Sequence, residues 1–409
     1  MGWLARLGVV VVGIVGLVGA GLAWQRTGWE PVPADAPVTE RLLDDRYAAA
    51  AGAARAHLER MRAEWGAPSL SAAISIDGRL VWAAAVGWAD LENRIPATPD
   101  TRYRIGSTSK AVTATVLARL VQEGRMGLDT PIATWLPDLP NPAWAPLTPR
   151  QLASHTAGIV DYDANRDWWG VYVSLREHVA FADTRAALAL FDDNDLMFPP
   201  GTGFLYSSFD TTLLAAAMEG AAGRSYGDLL ADQVTGPLRL TATGPDHQDR
   251  PVPDRATFYA ADRGGVKPWR AVNHSYKHAG GGLVSTSSDL VRMGAAWFDP
   301  AFLDPGLVDR FWTPQPLADG SANPQAYAIG WRVPTVAALL GPDHPVVNAN
   351  HGGVSKGAYS WLNLYPEFRI AVALNMNRRL DEFRPFFEAE YTITRLFLAR
   401  RTELAQEAP

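Results

Sequence analysis

The residues best suited to covalent chemistry in this chain are Ser107 and Lys110, which lie three positions apart at the start of a predicted helix. That spacing places both side chains on one helix face, within reach of each other. A serine hydroxyl becomes a nucleophile when a base takes its proton, and a buried lysine can be that base. The helix N-terminus adds a backbone N–H and a positive dipole end for an oxyanion. Alone the motif is weak, because an N-cap serine followed by a surface lysine has the same pattern.

Two later motifs could complete such a site. Tyr206 opens a Tyr-Ser-Ser motif with Ser208 as its third residue, just after a Pro-Pro-Gly-Thr turn. A loop phenol near the serine and lysine could relay a proton to a leaving group, although a core tyrosine would look the same. His351, Gly352 and Gly353 precede a β-prone run, and paired glycines let the backbone approach a ligand closely. A single histidine in such a place is usually structural.

Composition limits what the chain can be. Its 409 residues are 47% hydrophobic and 20% charged, which is typical of folded globular proteins and unlike disordered or multi-spanning membrane proteins. The net charge of −6, without a long Lys/Arg run, argues against nucleic-acid binding, which depends on phosphate neutralisation. Because there is no cysteine, disulfides, thiolate zinc sites and a cysteine nucleophile are excluded.

The N-terminus has the layout of an export segment. The stretch from Leu7 to Trp24 carries no charge, follows Arg6 and is succeeded by Arg26 and an acidic region. Its length approaches the roughly 20 apolar residues that span a bilayer. Residues 1–27 are therefore predicted to be either a cleaved signal peptide or a retained membrane anchor. We expect the rest of the chain to be periplasmic or otherwise extracytoplasmic, either free or held at the inner membrane.

The remaining sequence predicts a single domain over residues 40–402, between a Pro/Ala-rich linker at 28–39 and a tail at 403–409. Strand-like runs at both ends and a mainly helical region at about 128–300 predict an α/β architecture interrupted by a helical subdomain. Asp77-Gly78 predicts a hairpin turn between the first two strands. The predicted strands are Ser69–Ile76, Leu80–Val86, Tyr327–Val333, Gly357–Leu364 and Phe368–Leu374, and the predicted helices include Arg46–Trp65, Lys110–Val121, Thr211–Ala221 and Asp381–Arg400.

In combination, the motifs follow the order of the penicillin-recognising serine hydrolases. The sequence resembles the class C β-lactamases, the D-alanyl-D-alanine carboxypeptidases and the related esterases, and most closely the mitochondrial serine β-lactamase-like proteins and their bacterial relatives. The resemblance covers most of residues 40–400. The stretches that carry it are YRIGSTSK at 103–110, LASHTAGI at 152–159, FLYSS at 204–208, NHSYKHAGGG at 273–282 and HGG at 351–353.

The resemblance implies a β-lactamase/transpeptidase-like α+β fold, in which an antiparallel sheet is flanked by helices and an inserted helical subdomain lies across the cleft. It implies that Ser107 is the acylating nucleophile, Lys110 its base and Tyr206 the proton relay. The backbone N–H groups of Ser107 and Val354 would form the oxyanion hole. No metal or cofactor is required. Four residues would contact the substrate: Ser208, His351, Gly352 and Gly353.

Two positions depart from the β-lactamases of this group, which usually carry Lys-Thr-Gly on the late strand and Asn as the third residue of the tyrosine motif. Here these positions are His351 and Ser208. Histidine has an ordinary pKa of about 6.5 and is mostly neutral at pH 7, so it attracts an antibiotic carboxylate less than lysine does. We expect recognition to rest on the strand edge and on apolar cleft walls. A peptidase or esterase is therefore favoured over an efficient β-lactamase.

Two functions of different classes stay open. The preferred one is an exported serine hydrolase, a peptidase first, that cleaves amide or ester bonds through an acyl-enzyme. The other is a membrane-anchored scaffold or self-assembling protein of the same fold with little turnover. The intact set of Ser107, Lys110 and Tyr206 favours the enzyme. The expected partners are a peptide, ester or β-lactam-like small substrate, the membrane through the N-terminal segment, and further copies of the chain.

Overall fold

The computed structural model describes residues 28–262 and 264–407. Residues 1–27, where the sequence predicts the export segment, lie outside the described residues. The strands are β1 (Val38–Leu42), β2 (Ser69–Ile76), β3 (Arg79–Asp90), β4 (Ile95–Pro96), β5 (Tyr103–Arg104), β6 (Gly244–Pro245), β7 (Tyr259–Asp262), β8 (Gly265–Pro268), β9 (Leu283–Ser285), β10 (Thr335–Val336), β11 (Val346–Val347), β12 (Ala349–Ser355), β13 (Ala358–Tyr365) and β14 (Ile370–Met376). The helices are α1 (Ala48–Glu64), α2 (Ser109–Gln122), α3 (Pro149–Ala153), α4 (Trp168–Arg176), α5 (Ser208–Ala222), α6 (Tyr226–Leu230), α7 (His278–Gly281), α8 (Ser287–Ala296), α9 (Pro305–Trp312) and α10 (Arg384–Glu407).

The centre of the fold is an antiparallel sheet with the strand order β1-β3-β2-β14-β13-β12, and β4 pairs with β3. Both faces of this sheet are covered, so its central strands β2 and β14 are buried along their whole length. Helices α1 and α10 pack together and cover one face, while α8 packs against β2, β3, β13 and β14. The predicted fold class, an antiparallel sheet flanked by helices, is confirmed.

The first hairpin forms as the turn chemistry predicts. Asp77 and Gly78 have φ angles of 50° and 82°, and two successive positive φ values match the right-handed twist of paired strands. The predicted helix at Lys110–Val121 is α2, and Gly124, with a φ of 67°, follows its end. α2 is buried on nearly all sides, so it is a central helix of the fold and carries Lys110 into the interior.

The predicted strand at Tyr327–Val333 is wrong. Gly330 has a φ of 77° and reverses the chain, so that Tyr327 forms a β-bridge with Arg332 within the same segment. The reversal packs directly on α2, where a Cβ at Gly330 would lie 2.4 Å from the Cβ of Ala114. The β-prone residues are therefore buried in a tight loop, and this loop presents Arg332 to the cleft.

The segment that precedes β1 lies along the domain. Glu30 pairs through its backbone with Val266 of β8, and the Arg62 guanidinium of α1 donates to the carbonyls of Pro33 and Ala34. Across residues 28–262 and 264–407, no helix is both long and apolar enough to cross a membrane.

Candidate active site

Two glycines bring Ser107, the predicted nucleophile, against the edge strand β12. Ser107 lies in a 3-10 turn, Gly106–Thr108, that leads directly into α2. A Cβ at Gly106 would lie 2.8 Å from the backbone nitrogen of Val354, and a Cβ at Gly353 would lie 1.8 Å from the carbonyl oxygen of Ile105. Both distances are below ordinary contact, so the two backbones touch only because neither position carries a side chain. The turn and the strand thus place Ser107 beside Val354.

Lys110 connects Ser107 to Ser208 and Gly280, two residues far from it in sequence. Its ammonium donates to the hydroxyl of Ser107 at 3.4 Å, to the hydroxyl of Ser208 at 3.2 Å and to the carbonyl of Gly280 at 2.8 Å. The side chain is 2% exposed, and all three acceptors are neutral. Among the described residues no carboxylate forms an ion pair with it, so a proton can leave Lys110 without stranding a paired anion.

Tyr206 lies on the other side of this lysine. The Lys110 ammonium is 4.8 Å from the centre of its ring, a cation–π distance, and the ring of His155 is 4.4 Å away. No hydrogen bond from the described residues engages the Tyr206 hydroxyl, and the side chain lines the cleft together with Ser107. The phenol is therefore free to contact a substrate. Ser208 follows as the first residue of α5, after the N-cap Ser207.

A buried pair supports Tyr206 from behind. The Nδ1 atom of His155 lies 2.9 Å from an Asp210 carboxylate oxygen and also accepts from the backbone N–H of Ser207. Burial lowers the pKa of His155 and raises that of Asp210, so both groups favour their uncharged forms. The pair holds the tyrosine loop in place without adding net charge to the site.

The structure does not bring His351 to the cleft wall. Its side chain is fully buried, with Nε2 at 2.8 Å from the Tyr327 hydroxyl and Nδ1 at 2.9 Å from the Gly352 carbonyl. Burial, with added repulsion from Arg332 and Lys110, holds its pKa well below the ordinary value. His351 is thus a neutral group behind the wall. Gly352 and Val354, its neighbours on β12, line the cleft.

The cleft opens into two cavities that share Val354. The first, of about 640 Å³, begins at Ser107 and Tyr206, and we call it the aromatic pocket. The second, of about 630 Å³, lies on the other side of Val354, and we call it the basic cavity. The aromatic pocket is walled by Arg332, Val336, Trp361, Phe383, Phe387 and Tyr391, and the basic cavity by Tyr162, Asp163, Glu177, Lys277, Lys356 and Arg379.

Several site residues escaped the sequence motifs. The guanidinium of Arg332 lies 5.2 Å from the ring centres of both Tyr206 and Tyr327, which makes it a charged group of the aromatic pocket. The carbonyl of Gly280 is the shortest contact of Lys110, a role that the sequence analysis did not assign, although Gly280 lies within the NHSYKHAGGG stretch. Arg332 has no local sequence signal. In the described part of the chain, no cluster of three or more metal-binding side chains occurs.

Comparison with known proteins agrees with this geometry. The β-lactamase family model matches residues 54–392. The mitochondrial serine β-lactamase-like protein LACTB of Homo sapiens is 29% identical, over 78% of this chain and 73% of that protein. The D-aminopeptidase of Gluconobacter oxydans is 25% identical, over 82% of this chain and 60% of that enzyme. The solved structure of the D-amino acid amidase from Ochrobactrum anthropi SV3 superposes with a TM-score of 0.69 at 25% identity, over 88% of this chain and all of that one. The chain therefore belongs to the β-lactamase family and is a serine hydrolase.

Proposed function

We propose that this protein is an exported amide hydrolase, a peptidase first and an esterase second, that works through an acyl-enzyme on Ser107. The observation that carries the proposal is the position of Lys110, whose buried ammonium reaches Ser107 at 3.4 Å and has only neutral hydrogen-bond partners. The activities of two relatives, a D-aminopeptidase and a D-amino acid amidase, support an amide substrate.

In the proposed mechanism, Ser107 Oγ attacks the substrate carbonyl while its proton passes to Lys110 in its neutral form. The carbonyl oxygen becomes an oxyanion, and the backbone N–H groups of Ser107 and Val354 donate to it. Tyr206 delivers a proton to the departing amine or alcohol as the tetrahedral intermediate collapses, which leaves an ester on Ser107. Water then attacks this ester and gives a proton to the Tyr206 phenolate, and Lys110 returns its proton to Ser107 Oγ as the bond to the acyl group breaks and the acid product leaves.

Intact-mass spectrometry tests the nucleophile. A fluorophosphonate probe should add one adduct to the purified chain, and peptide mapping should place it on Ser107. Ser107→Ala should lose the adduct, whereas the exposed loop variant Ser321→Ala should keep it. An adduct that persists in Ser107→Ala, or full activity in that variant, would refute the assignment and return the scaffold function to first place.

The three catalytic side chains should behave as one unit. Ser107→Ala and Lys110→Ala should each lose most turnover, and the double variant should resemble either single variant, because one catalytic unit fails when any member is removed. Tyr206→Phe should accumulate the acyl-enzyme if its main task is to activate water. Additive losses, measured as kcat/KM on one activated ester, would contradict the unit.

β-Lactam turnover should be weak relative to an activated ester, because His351 and Ser208 take the places of the usual lysine and asparagine, and burial keeps His351 neutral. Wild-type hydrolysis of a chromogenic cephalosporin at the rate of a dedicated β-lactamase would contradict this prediction. Because His351 lies behind the wall, His351→Lys should bury an unpaired charge and should not create a β-lactamase.

Export is tested separately, since the proposal rests on the sequence of residues 1–27. A periplasmic reporter fused after Ala50 should be active, and a reporter that works only in the cytoplasm would overturn the localisation. Self-association and membrane anchoring stay predictions.

A further inference from the structure

We propose that the basic cavity is a subsite for a negatively charged acyl group, so that the preferred substrate carries a carboxylate or phosphate on its acyl side. The inference rests on the proposed acyl-enzyme mechanism and names the substrate class of that site. It starts from two cations, Lys356 and Arg379, that line the cavity next to Val354.

Neither cation has an anionic partner among the described residues. The third cation of the wall, Lys277, is paired with the buried carboxylate of Glu177. The remaining acid, Asp163, forms no ion pair with Lys356 or Arg379 in the described chain. Burial lowers the pKa of Lys356, and repulsion from Lys277 and Arg379 adds to this effect against the attraction of Glu177. An anionic ligand would relieve this repulsion.

The backbone that carries Lys356 is fixed. Its carbonyl accepts from the guanidinium of Arg104, and Arg104 is itself buried against Asp246 in an ion pair of 2.6 Å. The next residue, Gly357, has a φ of 70°, and a Cβ there would lie 2.9 Å from the backbone nitrogen of Tyr259. The ammonium thus extends from a rigid turn, which limits the entropy lost when a ligand binds.

Arg379 is anchored in a similar way. It follows the end of β14, where the amide side chain of Asn377 accepts from the backbone of Ser69 and donates to the carbonyls of Trp88 and Thr257. Its own carbonyl accepts from the side chain of Arg378. The free guanidinium offers the planar donors that suit a carboxylate or a phosphate.

The position of Tyr206 decides which part of the substrate enters the cavity. Tyr206 lines the aromatic pocket, so a leaving group that receives its proton lies on that side of Val354. The substrate carbonyl is held between Ser107 and Val354. An acyl substituent that extends away from Tyr206 along β12 passes Val354 and enters the basic cavity, whose wall continues with Ser355 and Lys356.

Matched 4-nitrophenyl esters test this inference with one leaving group. In 4-nitrophenyl butyrate the acyl chain is neutral, and in the mono-4-nitrophenyl esters of succinate, glutarate and adipate it ends in a carboxylate. At low salt the wild type should show a kcat/KM at least about tenfold higher for the best hemiester than for the butyrate, as expected for a charge-assisted contact. Added NaCl should reduce this preference because it screens the charges.

The double variant Lys356→Gln/Arg379→Gln should lose the preference while its butyrate turnover changes less than about twofold, and that turnover also reports that the variant folds. Arg310→Gln, which removes an exposed charge from α9, is the matched control and should keep the preference. Wild-type turnover of butyrate without a hemiester preference, or an equal preference in the double variant, would overturn the inference. If the wild type hydrolyses none of the esters and forms no Ser107 adduct, the proposed function fails, and this inference fails with it.

Discussion

The aromatic pocket and the basic cavity have nearly equal volumes and share one strand edge, yet the side chains in their walls differ: many are aromatic in the first, and several are charged in the second. On one side of Val354, aromatic residues of β13 and the C-terminal region form the wall, with Arg332 as its cation. On the other side, the wall carries charged side chains from separate segments of the chain, among them Lys277, which is paired with the buried Glu177. The difference indicates that the two halves of a substrate are recognised by different forces, apolar burial for one and charge for the other.

The largest effect on activity is expected when β12, the strand that lines both cavities, is displaced. In Gly353→Ala, the new methyl group would collide with the carbonyl of Ile105 and push β12 away from Ser107. We expect kcat/KM to fall by about a hundredfold or more for every substrate, because a displacement near 1 Å is enough. Steady-state kinetics with 4-nitrophenyl butyrate and the best hemiester measure this loss of kcat/KM.

Gly352→Ala is the matched control on the same strand. Its methyl group would meet the ring of Phe383, which can move, rather than backbone. We expect a lower kcat/KM only for substrates with bulky leaving groups. The preference for a negatively charged acyl group should be kept. Equal losses in the two variants would show that the cavities are not separated at Val354.

Lowering the pH should reduce the free energy of unfolding in two separate pH ranges, one set by histidines behind the aromatic pocket and one by Glu177 in the wall of the basic cavity. Burial and neighbouring cations lower the pKa of His155 and His351 behind the aromatic pocket. The unfolded chain therefore protonates first at these histidines, and stability falls as the pH drops below about 6.5, at about 1 kcal/mol per pH unit for His351. The fall due to His155 is smaller, because the raised pKa of its partner Asp210 acts in the opposite direction. Burial opposes ionisation of Glu177, but Lys277 and His274 still hold its pKa below the ordinary value, so its contribution is lost only below about pH 4.3.

Calorimetric Tm values between pH 7 and pH 3 test both windows. His351→Gln should flatten the slope between pH 6.5 and 5, and Glu177→Gln should change only the lower window. His344→Gln, at an exposed histidine paired with Glu367, should leave both unchanged. If His351→Gln and His155→Gln both keep the wild-type dependence of Tm on pH between pH 6.5 and 5, these histidines do not cause the loss of stability in that range.

A smaller effect is expected when the aromatic pocket loses one wall residue. Phe387 stacks on Trp361 with ring centres 5.1 Å apart, so Phe387→Ala should enlarge the pocket and leave one face of the leaving group unburied. We expect kcat/KM to fall about tenfold for 4-nitrophenyl butyrate, with little change for methyl butyrate. The hemiester preference should persist. If that preference collapses instead, the two cavities are coupled.

The smallest effect concerns Arg332, which stacks on Tyr206 and repels a proton on His351. Arg332→Gln should lower turnover only a few-fold, because a cation–π contact at a solvent-accessible site contributes about 0.5–1 kcal/mol. It should also raise the pKa of His351, measured by NMR titration, whereas Arg332→Lys keeps the charge and should not. An unchanged titration in Arg332→Gln would remove Arg332 from the electrostatics of the site.

Local signals predicted part of the fold well. The Asp77-Gly78 turn and the apolar spacing of α2 depend on neighbours in sequence, and both predictions are confirmed. The segment at Tyr327–Val333 has strand-like composition, but its conformation is set by Gly330 packing on Ala114 of a distant helix. That contact lies outside any local window.

The candidate site, like the fold, could be predicted from the sequence only in part. The motif order, read through the family resemblance, identified Ser107, Lys110, Tyr206 and Val354, and the structure brings these residues to one cleft. The motif left open which face of β12 would carry His351, and only the burial of that strand decides it. Lys356 and Arg379 lie on loops after different strands, so no spacing predicts the basic cavity.

The sheet order has a consequence for how the chain matures. β2 and β14 are adjacent in the sheet, and the hydrogen bond from Thr108 to His351 spans 243 residues. Contacts of such high sequence separation form late and slowly. A nascent chain that already displays Ser107 and Lys110 still lacks the strand that supplies Val354. Under the proposed mechanism it therefore has no oxyanion hole until the C-terminal strands dock. Hydrolysis is thereby postponed to the last stage of folding, and recovery of turnover during refolding should report completion of the whole sheet.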